Sequence, residues 1–151
     1  MHLLVIGLNH RTGPIEVRER FSLSKDAVRR NFIDNDLGEA VLLSTCNRTE
    51  IYARCADVDT LRNMFFADVR DEYLYTFYGV DCIRHLFEVA SSLDSLVLGE
   101  GQILSQVKEA YALAKQLGAT GTVLNTLFNR AIAVGKRVRT ETKLAYNSVS
   151  V

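Results

Sequence analysis

The sequence predicts an α+β fold, in which a ferredoxin-like βαββαβ subdomain is followed by a helical subdomain. Two observations support this prediction. Over residues 1–79, β-prone and helical segments follow one another in the element order of the ferredoxin-like motif. Over residues 80–151, long helical patterns punctuated by glycines occur without a strand signal. Because no Pro/Ser-rich linker separates the two parts, we expect them to pack tightly and to share a cleft.

The spacing of apolar residues places each element in turn. Runs of β-prone residues predict strands, and apolar residues three or four positions apart predict helices. The predicted elements are a strand over 3–8, helices over 15–21 and 24–33, strands over 41–45 and 49–53, a helix over 57–69, a strand over 73–78, and helices over 80–98, 103–117 and 122–142. Ser24 is expected to cap the second helix. The two middle strands are joined by Cys46-Asn47-Arg48, which predicts a hairpin with the cysteine at its turn.

The composition is that of a chain with enough apolar residues to form a genuine core. Of the 151 residues, 48% are hydrophobic, and 18 Lys and Arg balance 18 Asp and Glu. The net charge therefore indicates no class of partner, whether nucleic acid, membrane or acidic substrate. No segment has the length of a signal-peptide core or a membrane span, so we expect a cytoplasmic protein. The cysteines, Cys46, Cys55 and Cys82, lack metal-ligand spacing and are expected to be free thiols.

The segment 43–52, LSTCNRTEIY, carries the most chemistry in the sequence. It sets a thiol, an amide, a guanidinium and hydroxyls at a strand end, which is a rigid and exposed place. A cation at Arg48 would favour the reactive thiolate of Cys46 and could also hold a carboxylate in a bidentate manner. On composition alone a plainer interpretation stays open, in which Cys46 is a small apolar filler and Arg48 a solvated charge. Cys55 and Cys82 have no comparable polar neighbours, and we predict structural roles for both.

Polar residues also interrupt the helical part of the chain. His85 lies on an apolar helix face, which suits either a hydrogen-bonded core histidine or a functional one. The segment 93–103 mixes Asp, Ser, Gly, Glu and Gln with apolar residues, which is costly unless the polar groups have partners. Ser95, Gln102 and Gln106 would share one face of a continuous helix. The glycines within the segment fit helix ends around a bend equally well.

The last predicted helix has a local excess of positive charge. Only Glu141 opposes its basic residues, which are Arg130, Lys136, Arg137, Arg139 and Lys143. Such a run fits either phosphate binding or an ordinary solvated helix surface. The sequence contains no Gly-x-Gly-x-x-Gly, Walker or His/Cys metal pattern, so it predicts no nucleotide or zinc site of a recognised type.

Three stretches of the sequence, taken together and in this order, resemble the glutamyl-tRNA reductase family. They are 7–19 (GLNHRTGPIEVRE), 43–52 (LSTCNRTEIY) and 85–103 (HLFEVASSLDSLVLGEGQI). The resemblance continues through 135–142 to the end of the chain, where family members pass into an NADPH-binding domain. Two positions depart from the family pattern: Gly13, where alanine is common, and Ser92, where glycine is frequent.

The resemblance implies an activity for the complete enzyme, the NADPH-dependent reduction of glutamyl-tRNA(Glu) to glutamate-1-semialdehyde. This is the first step of the C5 route to tetrapyrroles, porphyrin and heme among them. Cys46 would attack the ester and form a thioester, with His85 as a second catalytic residue. Arg48 would hold the carboxylate of the glutamate. The other residues of the substrate pocket would be Thr45, Asn47, Ser95, Glu100, Gly101, Gln102 and Gln106.

The resemblance also implies partners. NADPH would bind the complete enzyme and not this fragment, which would at most form or hydrolyse the thioester. The full-length family is homodimeric through a C-terminal domain, which leaves the fragment free to be a monomer, and the product could pass to glutamate-1-semialdehyde aminomutase. Two other hypotheses stay open: a non-catalytic domain that binds tRNA or a regulatory protein, and a thiol hydrolase acting on another acyl ester. The presence of Cys46, Arg48 and His85 in one chain favours the catalytic domain.

Overall fold

The computed structural model describes residues 2–55, 57–93 and 102–149, with side chains described up to residue 142. The elements are β1 (His2–Asn9), α1 (Ile15–Arg20), α2 (Lys25–Asp34), β2 (Glu39–Ser44), β3 (Arg48–Cys55), α3 (Val58–Phe65), β4 (Tyr75–Tyr78), α4 (Val80–Ala90), α5 (Gln102–Gln116) and α6 (Thr122–Val149). A 3-10 turn precedes β4. The predicted α+β class is confirmed. Among the helices of these ranges, none is long and apolar enough to span a bilayer.

The four strands form one antiparallel sheet in the order β2-β3-β1-β4. The central strand β1 is buried from Leu4 to Asn9, because helices cover both faces of the sheet. An apolar run without polar alternation is typical of such a strand. β2 and β4 are the edge strands. Asn9, the last residue of β1, pairs with Arg48, the first residue of β3, so the end of β1 lies beside the turn of the β2–β3 hairpin.

Alternate residues of the strands point to opposite faces, and each face has its own core. Leu4, Ile6 and Leu8 of β1 pack with residues of α1, α2 and α3. On the other face, Val5 and Tyr52 pack with residues of α4, α5 and α6. The helical part therefore shares its core with the sheet. The boundary that we place between residues 79 and 80 stays a prediction.

A carboxylate of the edge strand fastens the start of α6 to the sheet. Glu39 of β2 accepts hydrogen bonds from the backbone N–H groups of Gly121, over 2.7 Å, and of Leu124, over 3.3 Å. N–H groups in the first turn of a helix lack partners within the helix, and the helix dipole favours an anion there. Glu39 thus links β2 directly to a helix that begins about 80 residues later in the chain.

The first helix after the sheet ends earlier than the sequence predicts. The pattern over 80–98 suggested a continuous helix, whereas α4 ends at Ala90. Ser92 has a φ of 65°, and the N–H of Leu93 bonds to the carbonyl of Glu88 over 2.9 Å. Together with the bond from Ser92 N–H to Val89, this is a Schellman motif, whose left-handed position is most often glycine. The family's frequent glycine at this position has a physical reason.

Candidate active site

The exposed end of the β2–β3 hairpin carries the predicted nucleophile. The Thr45 N–H donates to the carbonyl of Arg48 over 2.8 Å, and the Asn47 N–H donates to Oγ1 of Thr45 over 3.1 Å. These two bonds close the turn, and Cys46 is exposed within it. The predicted hairpin with the cysteine at its turn is confirmed.

The three cysteines differ in exposure and in the pKa values of their thiols. Cys82 is buried, and burial together with the negative charge of Glu50 raises its pKa to about 12. Cys55 is partly buried, and burial raises its pKa as well. Both thiols are therefore expected to stay protonated near neutral pH, which agrees with the structural roles predicted for them. Cys46 is the exposed thiol of the three.

Arg48 does not lie on the surface beside Cys46 but inside the protein. Its side chain is 0% exposed, and its Nη1 lies 3.5 Å from Oε2 of Glu50, whose side chain is equally buried. The interpretation of Arg48 as a solvated charge is therefore wrong. The predicted role of holding the substrate carboxylate stays a prediction.

Glu50 brings together four side chains, two from its own strand β3, one from β4 and one from α4. They are Arg48, Tyr52 (2.9 Å from its hydroxyl), Tyr75 and Nε2 of His85, and we call this set with Glu50 the Glu50 cluster. Burial alone would raise the pKa of Glu50. The hydrogen bond and charge of His85, together with the charge of Arg48, outweigh burial and lower the pKa from 4.5 to about 2. Glu50 is thus a fully buried anion at neutral pH.

His85 reaches this cluster from α4. It is 7% exposed, and its ring lies 5.4 Å from the ring of Tyr75 and 5.1 Å from that of Phe77. The hydrogen-bonded core histidine considered above fits these surroundings, and Glu50 also connects His85 to Arg48. Since an ionised carboxylate only accepts hydrogen bonds, Nε2 is the donor.

Sequence reasoning missed Glu50 and the reason for Gly7. A carboxylate within the buried run of β3 is costly without partners, and this could have marked Glu50 as important. Gly7 lies beside it on β1. A Cβ atom there would come within 2.5 Å of the Thr49 carbonyl oxygen and 2.9 Å of Cγ of Glu50. Residue 7 must therefore be glycine if Glu50 is to keep its position.

The predicted glutamines of the helical part lie along one side of α5. Gln106 lines a cleft of about 410 Å³ between α2, β2 and α5, which we call the α2–α5 cleft. Ser44, the last residue of β2, also lines it, so the cleft extends to the base of the hairpin turn. Gln102 is exposed at the start of α5. The remaining predicted pocket residues, Ser95, Glu100 and Gly101, lie outside the described residues.

The basic residues of α6 are exposed where their side chains are described. Arg137 pairs with Glu141 over 3.2 Å, while Lys143 lies beyond the described side chains. This exposure suits both the phosphate-binding and the solvated-surface interpretation. Within residues 2–55, 57–93 and 102–142, no group of three or more His, Cys, Asp and Glu side chains could hold a metal ion.

Comparison with known proteins gives a consistent result. The family described as "Glutamyl-tRNAGlu reductase, N-terminal domain" matches residues 6–142. The glutamyl-tRNA reductases of Pelobacter propionicus and Carboxydothermus hydrogenoformans are 45% and 47% identical to this chain and match all of it. The chain spans 38% and 37% of their lengths. The solved structure of glutamyl-tRNA reductase from Methanopyrus kandleri matches 93% of this chain and 35% of its own, with a TM-score of 0.80 and 38% identity.

Proposed function

Because the chain belongs to the glutamyl-tRNA reductase family, as its N-terminal domain, we propose that it performs the acyl-transfer half of a two-step reduction of glutamyl-tRNA. The sulfur of Cys46 attacks the carbonyl carbon of the ester that joins glutamate to the tRNA. A C–S bond forms, the C–O bond to the terminal ribose breaks, and the ribose oxygen takes up a proton. The observation that carries this proposal is the exposed thiol at a hydrogen-bonded hairpin turn.

The second half, reduction of the thioester to glutamate-1-semialdehyde, is assigned to the complete enzyme with NADPH. The described residues form an antiparallel sheet, and the sequence has no glycine-rich dinucleotide motif, so they do not fit this cofactor. We assign no step of the reduction to them. Dimerisation, a cytoplasmic location and transfer of the product to glutamate-1-semialdehyde aminomutase stay predictions from the family resemblance.

Arg48 is proposed to hold the side-chain carboxylate of the glutamyl group. Its place as the first residue of β3, directly after the hairpin turn that carries Cys46, supports this. Glu50 fixes the guanidinium before the substrate arrives, which lowers the entropy cost of binding. His85 is proposed to act in proton transfer. With Nε2 bonded to Glu50, Nδ1 is the ring nitrogen left to exchange a proton with the substrate.

The remaining assignments rest on position in the fold. Thr45 and Asn47 flank the nucleophile in the hairpin turn, which supports roles in orienting the ester. Gln106 lines the cleft that extends to that turn. Ser95, Glu100, Gly101 and Gln102 keep the substrate-binding roles implied by the resemblance. The strand order β2-β3-β1-β4 supports the ferredoxin-like assignment of residues 1–79.

A single-turnover experiment with glutamyl-tRNA tests the proposal. Acid-quenched samples should contain a covalent glutamyl adduct on the peptide that carries Cys46, and hydroxylamine should release it. Cys46→Ser should form no thioester, because an unactivated hydroxyl is a far poorer nucleophile than a thiolate. Supplying NADPH to this chain should give no aldehyde.

Two results would contradict the proposal. Tight binding of glutamyl-tRNA without any adduct would favour the non-catalytic binding domain. Equal acylation from glutamyl-tRNA and from an unrelated acyl ester would favour a general thiol hydrolase. Cys82→Ser serves as the matched control, because Cys82 is buried away from solvent and its replacement should leave the adduct on Cys46 unchanged.

A further inference from the structure

The α2–α5 cleft has an apolar lining beside the candidate nucleophile. Its volume is about 410 Å³, within the usual range of small-molecule sites of roughly 300 to 1,000 Å³. Its apolar lining includes Leu23, Val28, Leu42, Leu43 and Leu113. Ser44 lies at one end of the cleft, two residues before Cys46. Because two residues of fully extended chain span at most about 7 Å, the Cα atoms of Ser44 and Cys46 are no farther apart than that. The leaving group of a substrate attacked by Cys46 can therefore reach this end of the cleft.

One wall of the cleft is the outer edge of β2, the edge that faces away from β3. In an antiparallel ladder, the N–H and C=O of alternate residues point to the same side. The Ala40 N–H points away from β3, since it bonds to the Ala119 carbonyl over 2.9 Å. Leu42 has the same orientation and lines the cleft. An N–H next to a C=O is the pattern that complements the Watson–Crick edge of adenine, which has an acceptor beside an amino donor.

The rim of the cleft on α2 is basic. Lys25 and Arg29 line it, and their side chains are 75% and 51% exposed. Each has an acidic neighbour: Lys25 lies 3.6 Å from Glu109, and Arg29 lies 3.8 Å from Asp26. Exposed ion pairs of this kind contribute roughly 0 to 1 kcal/mol to stability, so either cation can exchange its carboxylate partner for a phosphate at little cost. The cleft therefore combines an apolar lining, a strand edge and a rim with two cations, Lys25 and Arg29, and one carboxylate, Glu109.

We propose that the α2–α5 cleft binds the 3′-terminal adenosine of the tRNA while its ester reacts with Cys46. This inference rests on the proposed function and deepens it. The adenine lies on the apolar lining against the edge of Leu42, and the phosphate on its 5′ side lies between Lys25 and Arg29. The acceptor end of the tRNA then approaches the protein across α2. The ribose oxygen released in acyl transfer stays at the Ser44 end of the cleft.

The first test is direct binding of a CCA trinucleotide to the isotope-labelled chain, followed by NMR. Backbone amide signals of residues that line the cleft should shift, and those of the exposed face of α6 should not. Arg29→Ala should weaken binding by roughly three- to tenfold at low salt and reduce the slope of log Kd against log salt by about 0.7. Arg30→Ala is the matched control, because it removes the same charge one residue along α2 outside the cleft. Equal effects of the two variants, or shifts elsewhere, would overturn the proposal.

The second test separates this inference from the proposed function. Ala112 is an exposed residue of α5 that lines the cleft, so Ala112→Trp should fill the cleft with little cost to folding. This variant should slow acylation by glutamyl-tRNA at least tenfold and slow acylation by glutamate α-methyl ester much less, because the small ester has no nucleoside. Ala133→Trp, at an exposed position of α6, is the control for the added indole.

The outcomes are distinct. If neither ester acylates the wild-type chain, the proposed function fails, and the trinucleotide titration still decides whether the cleft binds adenosine. If Ala112→Trp slows both esters equally, or neither, the cleft is not the nucleoside site. NADPH also contains an adenosine, so 2′,5′-ADP is titrated as the competing probe. Tighter binding of 2′,5′-ADP than of CCA in this cleft would overturn the assignment to tRNA.

Discussion

Replacement of Glu50 by glutamine should destabilise the protein by about 3 kcal/mol at neutral pH. Glu50→Gln keeps the shape of the side chain and removes the charge that compensates buried Arg48. The shift of the Glu50 pKa from 4.5 to about 2 corresponds to roughly 3 kcal/mol of interaction in the folded state. Removing one partner of a buried ion pair costs about 3 to 5 kcal/mol, which agrees with that value. For a domain of this size, the melting temperature should fall by roughly 6 to 12 °C.

The ionisation of Glu50 also makes the stability of the folded protein depend on pH. The pKa of Glu50 is lower in the folded protein than in the unfolded chain, so its stabilising contribution is fully present above about pH 4.5. As the pH falls from 4.5 towards 2, the unfolded chain takes up a proton that folded Glu50 still excludes, and this contribution is lost. Glu50→Gln should lack this part of the acid transition. The two proteins should therefore converge in stability as the pH approaches 2.

Urea denaturation followed by circular dichroism at a series of pH values measures both effects. The matched control is Glu141→Gln, since Glu141 forms an exposed ion pair with Arg137 on α6. That variant should change the free energy of unfolding by less than about 0.5 kcal/mol. The reasoning about Glu50 is refuted if the two variants cost the same at neutral pH, or if Glu50→Gln keeps the wild-type dependence between pH 4.5 and 2.

Three further predictions concern single residues. Iodoacetamide near neutral pH should label exposed Cys46 first and Cys82 last, because burial raises the Cys82 pKa to about 12; peptide mass spectrometry measures the order, and equal rates in the folded protein would contradict it. Gly7→Ala should lower the free energy of unfolding by about 1 to 3 kcal/mol, since its Cβ would lie 2.5 Å from the Thr49 carbonyl oxygen; a wild-type denaturation curve would contradict the close approach. Ser92→Gly should be more stable than Ser92→Ala by about 1 kcal/mol in the same assay, because both variants lose the hydroxyl and only glycine relieves the positive φ; equal stabilities would contradict this.

Local signals in the sequence were sufficient for most of the fold. Ser24 accepts a hydrogen bond from the Ala27 N–H over 3.1 Å, as its predicted capping role requires. The hairpin was predictable because its strands are adjacent in the sequence and the turn residues lie between them. The predicted ends of helices and strands were less accurate. The helix predicted over 57–69 spans only Val58–Phe65, and the strand predicted over 73–78 begins at Tyr75, after a 3-10 turn. Helix ends depend on where capping hydrogen bonds form, which apolar periodicity does not record.

The Glu50 cluster could not be predicted from local patterns, because its members meet through the tertiary fold. His85 is 35 residues from Glu50, and Tyr75 is 25 residues away. Arg48 and Glu50 are two residues apart on one strand, so their side chains share a face. That face is buried here, which makes the pair a charged contact within the core and not a surface one. Burial is set by how α4 packs on the sheet, which single-sequence reasoning does not establish.

The role of Arg48 as a reader of the glutamate side chain can be separated from its role as the partner of Glu50. If its guanidinium binds the substrate carboxylate, both Arg48→Lys and Arg48→Ala should lose about 2 to 4 kcal/mol of transition-state stabilisation, which is measured as slower acylation. Lysine fails almost as badly as alanine because it keeps the charge but lacks the planar fork. Both variants should also lose the preference for glutamyl over glutaminyl esters, which a purely structural role would leave unchanged. Denaturation curves give the separate loss of stability from the contact with Glu50. Acylation rates with the two esters, measured under conditions where each variant is folded, decide the question. Full rescue by lysine with the glutamyl preference intact would show that Arg48 supports Glu50 and does not touch the substrate.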